Sequence, residues 1–288
     1  MQIKYLIFLI QNALQWMLKM TFIVIVVIIF FWIYGAKIEP NWIEIVPIQL
    51  SLPHLTPAFD GFKIVQISDL HVSRFMTQKR LDKIINLVNQ QKPDVITITG
   101  DFDSKNQKFL PDILVEELKK LAPKEFTLSV LGNHDHWNVP QAVRKALAES
   151  NVIDLNNQVY TIHRDEEKLN FAGIDDPYVG VPNFPKVLQE LPNTGATILL
   201  VHEPDFADIS ASTGRFDLQL SGHSHGGQVR IPLLGAVVLP PGGRKYVSGL
   251  TRIGDMIEYT NQGIGMTGIP VRFNCRPEIT VFTLKAVS

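Results

Sequence analysis

Alternation and helical spacing of apolar side chains divide most of this chain into a regular series of elements. Phe62-Lys63-Ile64-Val65-Gln66-Ile67 alternates and predicts a strand ending at Ser68-Asp69. From Leu81 to Asn89 the apolar positions 81, 84, 85 and 88 share one helical face. Val95 to Thr99, β-branched and apolar, predicts a buried strand ending at Gly100-Asp101. Helical spacing returns over Ile113–Leu121 and Gln141–Glu149, on either side of a strand over Phe126–Leu131 that ends at Gly132-Asn133. Two further strands are predicted, Thr197–Val201 ending at His202 and Phe216–Leu220 ending before Gly222-His223. This alternation argues for an α/β protein with parallel strands early in the chain. Beyond Gly227 the short segments Lys245–Ser248, Met256–Thr260 and Glu278–Leu284 are split by glycines and predict a second, mostly antiparallel sheet. Two sheets with helices outside make a four-layer αββα sandwich.

The N-terminus differs in kind. Met20 to Tyr34 carries no charge and is rich in Ile, Val and Phe. Extended back through Trp16 it reaches the roughly 20 apolar residues that span a bilayer, with Lys19 snorkelling to the interface. Residues 1–36 therefore read as a single-pass membrane anchor, with Trp16, Trp32 and Tyr34 as interfacial belts. A cleaved signal peptide is the competing reading, and Gly35-Ala36 matches its small-residue cleavage site poorly. Lys4 and Lys19 before the span against Lys37 after it give a slight bias towards an outward-facing C-terminal domain, which leaves the side of the membrane open. Residues 37–58 form a linker with four prolines, in which Ile43–Val46 and Ile48–Leu50 could pair as edge strands. The body of the protein is expected over 59–288.

Composition narrows the function. Basic and acidic residues number 27 and 28, so the clustered positive charge of a nucleic-acid binder is missing and nucleic acid is not an expected partner. Cys275 is the only cysteine, which removes thiolate zinc sites and leaves Asp, Asn and His as ligands for harder or borderline cations.

Such residues stand where the predicted strands end: Asp69-Leu70-His71, Gly100-Asp101, Gly132-Asn133-His134-Asp135, Val201-His202 and Gly222-His223-Ser224-His225. In open α/β sheets ligands collect outside the carboxyl ends of the strands. Asp69 and His71, at i and i+2 on an extended segment, would point the same way. Asp101 has lone pairs enough to bridge two cations. Asn133 offers a neutral oxygen, His134 could stay unligated as an acid or phosphate-oxygen donor, and His223 with His225 forms an imidazole pair. Taken singly, each group has a plainer reading as a turn, a helix cap or a satisfied core histidine. Their joint order along successive strands favours a metal centre. Ile231 to Leu239, apolar and just past His225, would either pack as a core hairpin or flank the site to meet acyl chains or the bilayer surface.

The order D-x-H, GD, GNH[DE], H, GHxH resembles the calcineurin-like metallophosphoesterases over Gly61 to Leu284. Ser68-Asp69-Leu70-His71, the run Gly222-His223-Ser224-His225-Gly226-Gly227-Gln228 and the segment from Gly268 to Ile279 are similar to its membrane-associated bacterial branch, which includes a UDP-2,3-diacylglucosamine pyrophosphatase of lipid A synthesis. The resemblance implies two divalent metal ions (Mn, Fe, Zn or Mg). Asp69, His71 and His225 would hold the first; Asn133, His202 and His223 would hold the second; Asp101 would bridge. His134 would be the unligated catalytic histidine. The implied activity is hydrolysis of a phosphodiester or pyrophosphate bond by metal-activated hydroxide, on a phosphorylated small molecule or a lipid-linked substrate. A general envelope phosphodiesterase or phospholipid hydrolase, and a non-catalytic metal-binding envelope protein, are the alternatives. The sequence departs from the branch at Ser104, where an acidic residue is expected, which leaves open whether Asp103 or Asp135 orients His134. It departs again at Gln262, where an arginine is expected.

Overall fold

The computed structural model describes residues 2–103, 110–137 and 140–286. Helix α1 (Gln2–Ile33) contains no buried side chain. At about 1.5 Å per residue it is roughly 48 Å long, more than a hydrocarbon core of about 30 Å requires. The chain continues through a π turn (Tyr34–Ile38) and a 3₁₀ turn (Glu39–Asn41) into the body.

The strands are β1 (Glu44–Leu52), β2 (Lys63–Ile67), β3 (Val95–Thr99), β4 (Phe126–Val130), β5 (Val152–Asp154), β6 (Gln158–Arg164), β7 (Glu167–Gly173), β8 (Ala196–Leu200), β9 (Leu218–Ser221), β10 (Arg230–Ile231), β11 (Gly235–Ala236), β12 (Gly249–Ile253), β13 (Met256–Thr260) and β14 (Glu278–Ala286). The helices of the body are α2 (Gln78–Gln90), α3 (Leu110–Leu118), α4 (Asn133–Trp137), α5 (Pro140–Glu149), α6 (Phe184–Glu190) and α7 (Ala207–Ser212). Among the described residues the strands build two six-stranded sheets, ordered β1-β14-β2-β3-β4-β5 and β12-β13-β9-β8-β7-β6, and a two-stranded hairpin of β10 and β11. The first is parallel except where β14 runs against β2.

Alternation along the strands explains the layers. Val65, Ile67, Ile96 and Ile98 face α2, α3 and α5 in one core that includes Leu81, Ile84, Leu114 and Leu147. Their neighbours Ile64 and Val95 face the other way and meet Phe171, Ile198, Leu218 and Tyr259 between the sheets. Ala172 and Leu199 turn outward again onto α6 and α7 through Val187 and Ala207. The four-layer αββα arrangement with two mixed sheets is therefore present.

Three expectations are corrected. The second sheet begins at Gln158 rather than after Gly227, and its centre is parallel: β13, β9, β8 and β7 all run together, with antiparallel pairs only at its edges. Glu278–Ala286 belongs to the first sheet, and Lys245–Ser248 is no strand but the loop before β12. Within the proline-containing linker, residues 44–52 form one continuous strand, not two. It pairs with β14 on one side only, so Pro47 has no second ladder to interrupt.

A polar stitch crosses the inter-sheet layer directly beneath the strand ends. Gln66 Nε2 donates to Ser221 O (2.9 Å) and to Thr99 Oγ1 (3.1 Å), tying β2 to β9 and β3.

Candidate metal centre

Parallel strands bring the carboxyl ends of β2, β3, β4, β8 and β9 to one edge, and the seven expected ligands converge there. All seven are buried. Asp69, His71, Asp101 and His225 each offer a ligand atom within 4.8 Å of the others. His71 Nε2 and His225 Nε2 face each other at 3.1 Å, and His225 Nε2 lies 3.2 Å from Asp69 Oδ1. Beside this group, His223 Nδ1 and Asn133 Oδ1 are 3.0 Å apart, and the His202 and His223 rings meet edge to face at 4.9 Å. Asp101 Oδ2 sits between the groups, 3.4 Å from His71 Nε2 and 3.2 Å from His202 Nε2.

The way these residues converge differs from the extended geometry expected for Asp69 and His71. Asp69 (φ 53°), His71 (46°), Asp101 (56°), His223 (66°) and His225 (52°) all adopt left-handed backbone, at an expense of order 1–3 kcal/mol each. The surroundings hold them there. Asp69 and His71 donate their N–H groups to Gly100 O and Asp101 O, both at 3.0 Å, and His223 N–H donates to the Asp69 carboxylate. Asp135 accepts from the N–H groups of Asp101, Phe102, Asp103 and Gly132 at 2.9–3.1 Å, clamping the Asp101 loop. Gly132 is required by close approach, since a Cβ there would collide with Asp101 Oδ1 and come within 2.8 Å of His202 Cδ2.

The hydrogen bonds also fix which nitrogen of each imidazole is left to bind. A carbonyl only accepts, so the ring nitrogen facing it carries the proton. His71 Nδ1 donates to Asp103 O (3.2 Å), His202 Nδ1 to Thr99 O (2.6 Å) and His223 Nε2 to Pro241 O (2.8 Å). Each leaves the opposite nitrogen, with its lone pair, aimed into the cluster, the arrangement that metal-binding histidines adopt. His202 Nε2 is buried and makes no hydrogen bond, although Asp101 is near. This donor set of four imidazoles, two carboxylates and one amide oxygen fits borderline divalent cations.

Electrostatics agree. Burial lowers His71 to about 3 and His223 to about 4, so both are neutral imidazoles at neutral pH. Burial alone would raise Asp69, but His225 and His202 reverse this and hold it below the usual carboxylate range. His202 is instead pulled well up, because the Asp101 and Asp69 charges outweigh its burial. The protein alone thus draws a proton to the place where a cation would sit. Burial and the Asp101 charge push Asp135 up to about 7, against the lowering by its backbone donors.

His134 lies at the rim, its ring 4.7 Å from that of His71 and 4.8 Å from that of the exposed Trp137. Its backbone N–H donates to Asp101 Oδ1 at 2.9 Å. Burial keeps the imidazole below its ordinary pKa. Ser104 lies outside the described residues. Gln262 is held by Glu278 (2.8 Å) and by the Cys275 thiol (3.0 Å), against Gly226 beside His225.

Sequence reasoning missed Arg272, the largest fully buried side chain among the described residues. Its guanidinium donates to the carbonyls of Gln262, Gly263, Gly265 and Cys275 at 2.7–3.2 Å. The strapped loop in turn donates from Ile264 N–H to Ser68 O and from Gly265 N–H to Asp69 O. The only signal was an arginine inside the apolar run Ile-Pro-Val-Arg-Phe. Arg272→Met leaves these carbonyls buried without their donor and is expected to destabilise the fold by about 3 kcal/mol or more. That lowers Tm by roughly 6–12 °C in thermal unfolding of the full chain in detergent; a shift under about 2 °C would contradict the clamp.

The calcineurin-like phosphoesterase family matches residues 62–227. The uncharacterized metallophosphoesterase YkuE of Bacillus subtilis is 38% identical over 258 residues, covering 88% of this chain and 90% of that protein. The phosphodiesterase YaeI of Escherichia coli is 33% identical over 259 residues, covering 87% and 92%. A transmembrane protein with metallophosphoesterase domain from Danio rerio is 29% identical over 267 residues, covering 88% of this chain and 60% of that protein.

Proposed function

Because the chain belongs to the calcineurin-like phosphoesterases and is accordingly a metal-dependent phosphoester hydrolase, we propose that it is a membrane-anchored phosphodiesterase working with two divalent cations. Asp69, His71 and His225 would hold one, Asn133, His202 and His223 would hold the other, and Asp101 would serve both. The observation that carries this reading is the position of Asp101 Oδ2, 3.4 Å from His71 Nε2 and 3.2 Å from His202 Nε2, with a ligand group on either side. When bound, such a pair supplies an activated water and neutralises charge on the phosphoryl oxygens. The protein's own contribution is placement: left-handed ligands locked by backbone bonds, and imidazole lone pairs turned inward by carbonyls. His134, neutral and at the rim, keeps one ring N–H to donate to a phosphoryl or leaving-group oxygen. Its main chain is held by the shared carboxylate, so it keeps register with the centre.

The substrate class is a lipid-linked phosphodiester or pyrophosphate. The apolar helix α1 supports this, since it keeps the site near a bilayer, and so does the similarity to a protein named a phosphodiesterase. A UDP-linked diacylated glucosamine is the most specific member of the class. Two features favour an envelope phosphodiester over it: Gln262 in place of an arginine, and the slight excess of lysine before the span, which biases the body towards the outer side. The cations are drawn from Mn, Fe, Zn and Mg. Turnover by detergent-solubilised full chain tests the reading on a generic diester, a generic monoester, a phospholipid and the UDP-diacylated sugar. The diester is expected to exceed the monoester at least about tenfold, a transition-state difference of about 1.4 kcal/mol. A monoester preference would overturn the phosphodiesterase reading.

A further inference from the structure

The run from Ile231 to Leu239 is not a core hairpin. Leu233 is fully exposed, Leu234 80% and Val238 74% exposed, and Ile231 and Val237 are exposed as well. The segment contains no charged residue. Leu233 sits at the tip with φ 71°, so an apolar β-carbon side chain is held in left-handed backbone out in solvent, where water gives it no return.

The root of this hairpin is fixed on two sides. On one, Gly227 packs so closely on Ala236 of β11 that no Cβ would fit, and His225 lies two residues before it. On the other, Arg230 N–H donates to Phe273 O (2.8 Å) and Phe273 N–H donates to Gln228 O (3.0 Å). The Phe273 ring packs edge to face on Phe31 (5.5 Å) and Tyr34 (6.1 Å), at the end of α1. Arg272 N–H donates to Gly35 O (2.9 Å), and the buried Glu39 carboxylate accepts from Cys275 N–H. The apolar helix, the hairpin and the metal-ligand loop are thus braced through one short segment, residues 272–275. Exposed Ile269 adjoins the same place, where Gln228 Nε2 donates to its carbonyl.

We propose that the β10–β11 hairpin is a second membrane-contact element, its Leu233, Leu234, Val237 and Val238 side chains seated in the acyl boundary of the bilayer that α1 spans. The occupant is a lipid surface because the patch is uncharged and rooted at the end of the one helix among the described residues long and apolar enough to cross a membrane. With both elements seated, the body cannot swing on a tether. The rim that carries His134 is held at headgroup depth, which selects substrates whose phosphoester lies at the membrane surface.

This inference rests on the anchoring reading, and the test separates the two. Full-length protein is placed in phosphatidylethanolamine–phosphatidylglycerol vesicles with single added thiols, Cys275 being buried. Leu234→Cys, Phe22→Cys in α1 and Lys145→Cys on α5 each carry an environment-sensitive fluorophore. The Leu234 label is expected to be quenched several-fold more by shallow lipid-borne nitroxides than by aqueous iodide, as at Phe22, with the reverse at Lys145. If the Leu234 label follows Lys145 while Phe22 follows lipid, the hairpin proposal is overturned and anchoring stands. If the Phe22 label follows iodide, anchoring itself falls and the proposal with it. Leu233→Ser/Leu234→Ser, which touches no ligand, is expected to cut turnover of a vesicle-borne phosphodiester about tenfold and leave a soluble generic diester unchanged. Equal turnover of the vesicle-borne substrate would also overturn it.

Discussion

Asp101→Asn is expected to lower turnover about 10³-fold or more and to leave the chain folded. The side chain is nearly isosteric, and Oδ1 can still accept from His134 N–H, so the local backbone keeps its anchor. What disappears is the one negative charge placed between the two ligand groups. At close range and an effective dielectric of about 20, a unit charge pair is worth about 4 kcal/mol. Losing it for either cation weakens binding by about 10³. Folding is checked by circular dichroism, cation content by elemental analysis after gel filtration, and turnover on the generic diester. A folded Asp101→Asn protein with unchanged turnover would remove Asp101 from the centre.

His134→Ala separates chemistry from cation binding. Its ring is at the rim, against His71 and Trp137, and it is not one of the four residues whose ligand atoms lie within 4.8 Å of one another. Turnover is expected to fall about 10²- to 10⁴-fold, the range for a general acid or phosphoryl-oxygen donor, while cation content stays at the wild-type level. Loss of cations together with activity would make His134 a supporting residue instead. Undiminished turnover would take it out of the mechanism.

The parts of this molecule legible in the sequence are those in which a periodic side-chain pattern coincides with burial. β2, β3, β4 and β8 read clearly because Ile64, Val65, Ile96, Ile98, Leu128 and Ile198 fill cores on both faces of a parallel sheet. The β6–β7 hairpin did not, because Gln158–Arg164 is an edge strand in which Ile162 alone is buried and the other side chains are exposed or half-buried. The insertion of β14 between β1 and β2 is set by pairing across more than 200 residues of chain, which no local pattern records. At the site, the ligand types were visible because each follows a strand. Their left-handed backbone was not, since Asp and His carry no mark of it and the constraint comes from partners such as Asp135 and Gly265. Arg272 was hidden for a similar reason: its value lies in carbonyls that converge only after folding.

The central claim is that this edge holds two divalent cations that share Asp101. Stripping the purified full chain with chelator and titrating Mn²⁺ back, with bound ions per chain and diester turnover measured together, tests it directly. The account predicts two bound ions per chain, turnover that rises only as the pair is completed, and failure of Asp101→Asn to reach either. A chain that keeps full turnover in chelator, or reaches it with no more than one ion bound, would contradict it.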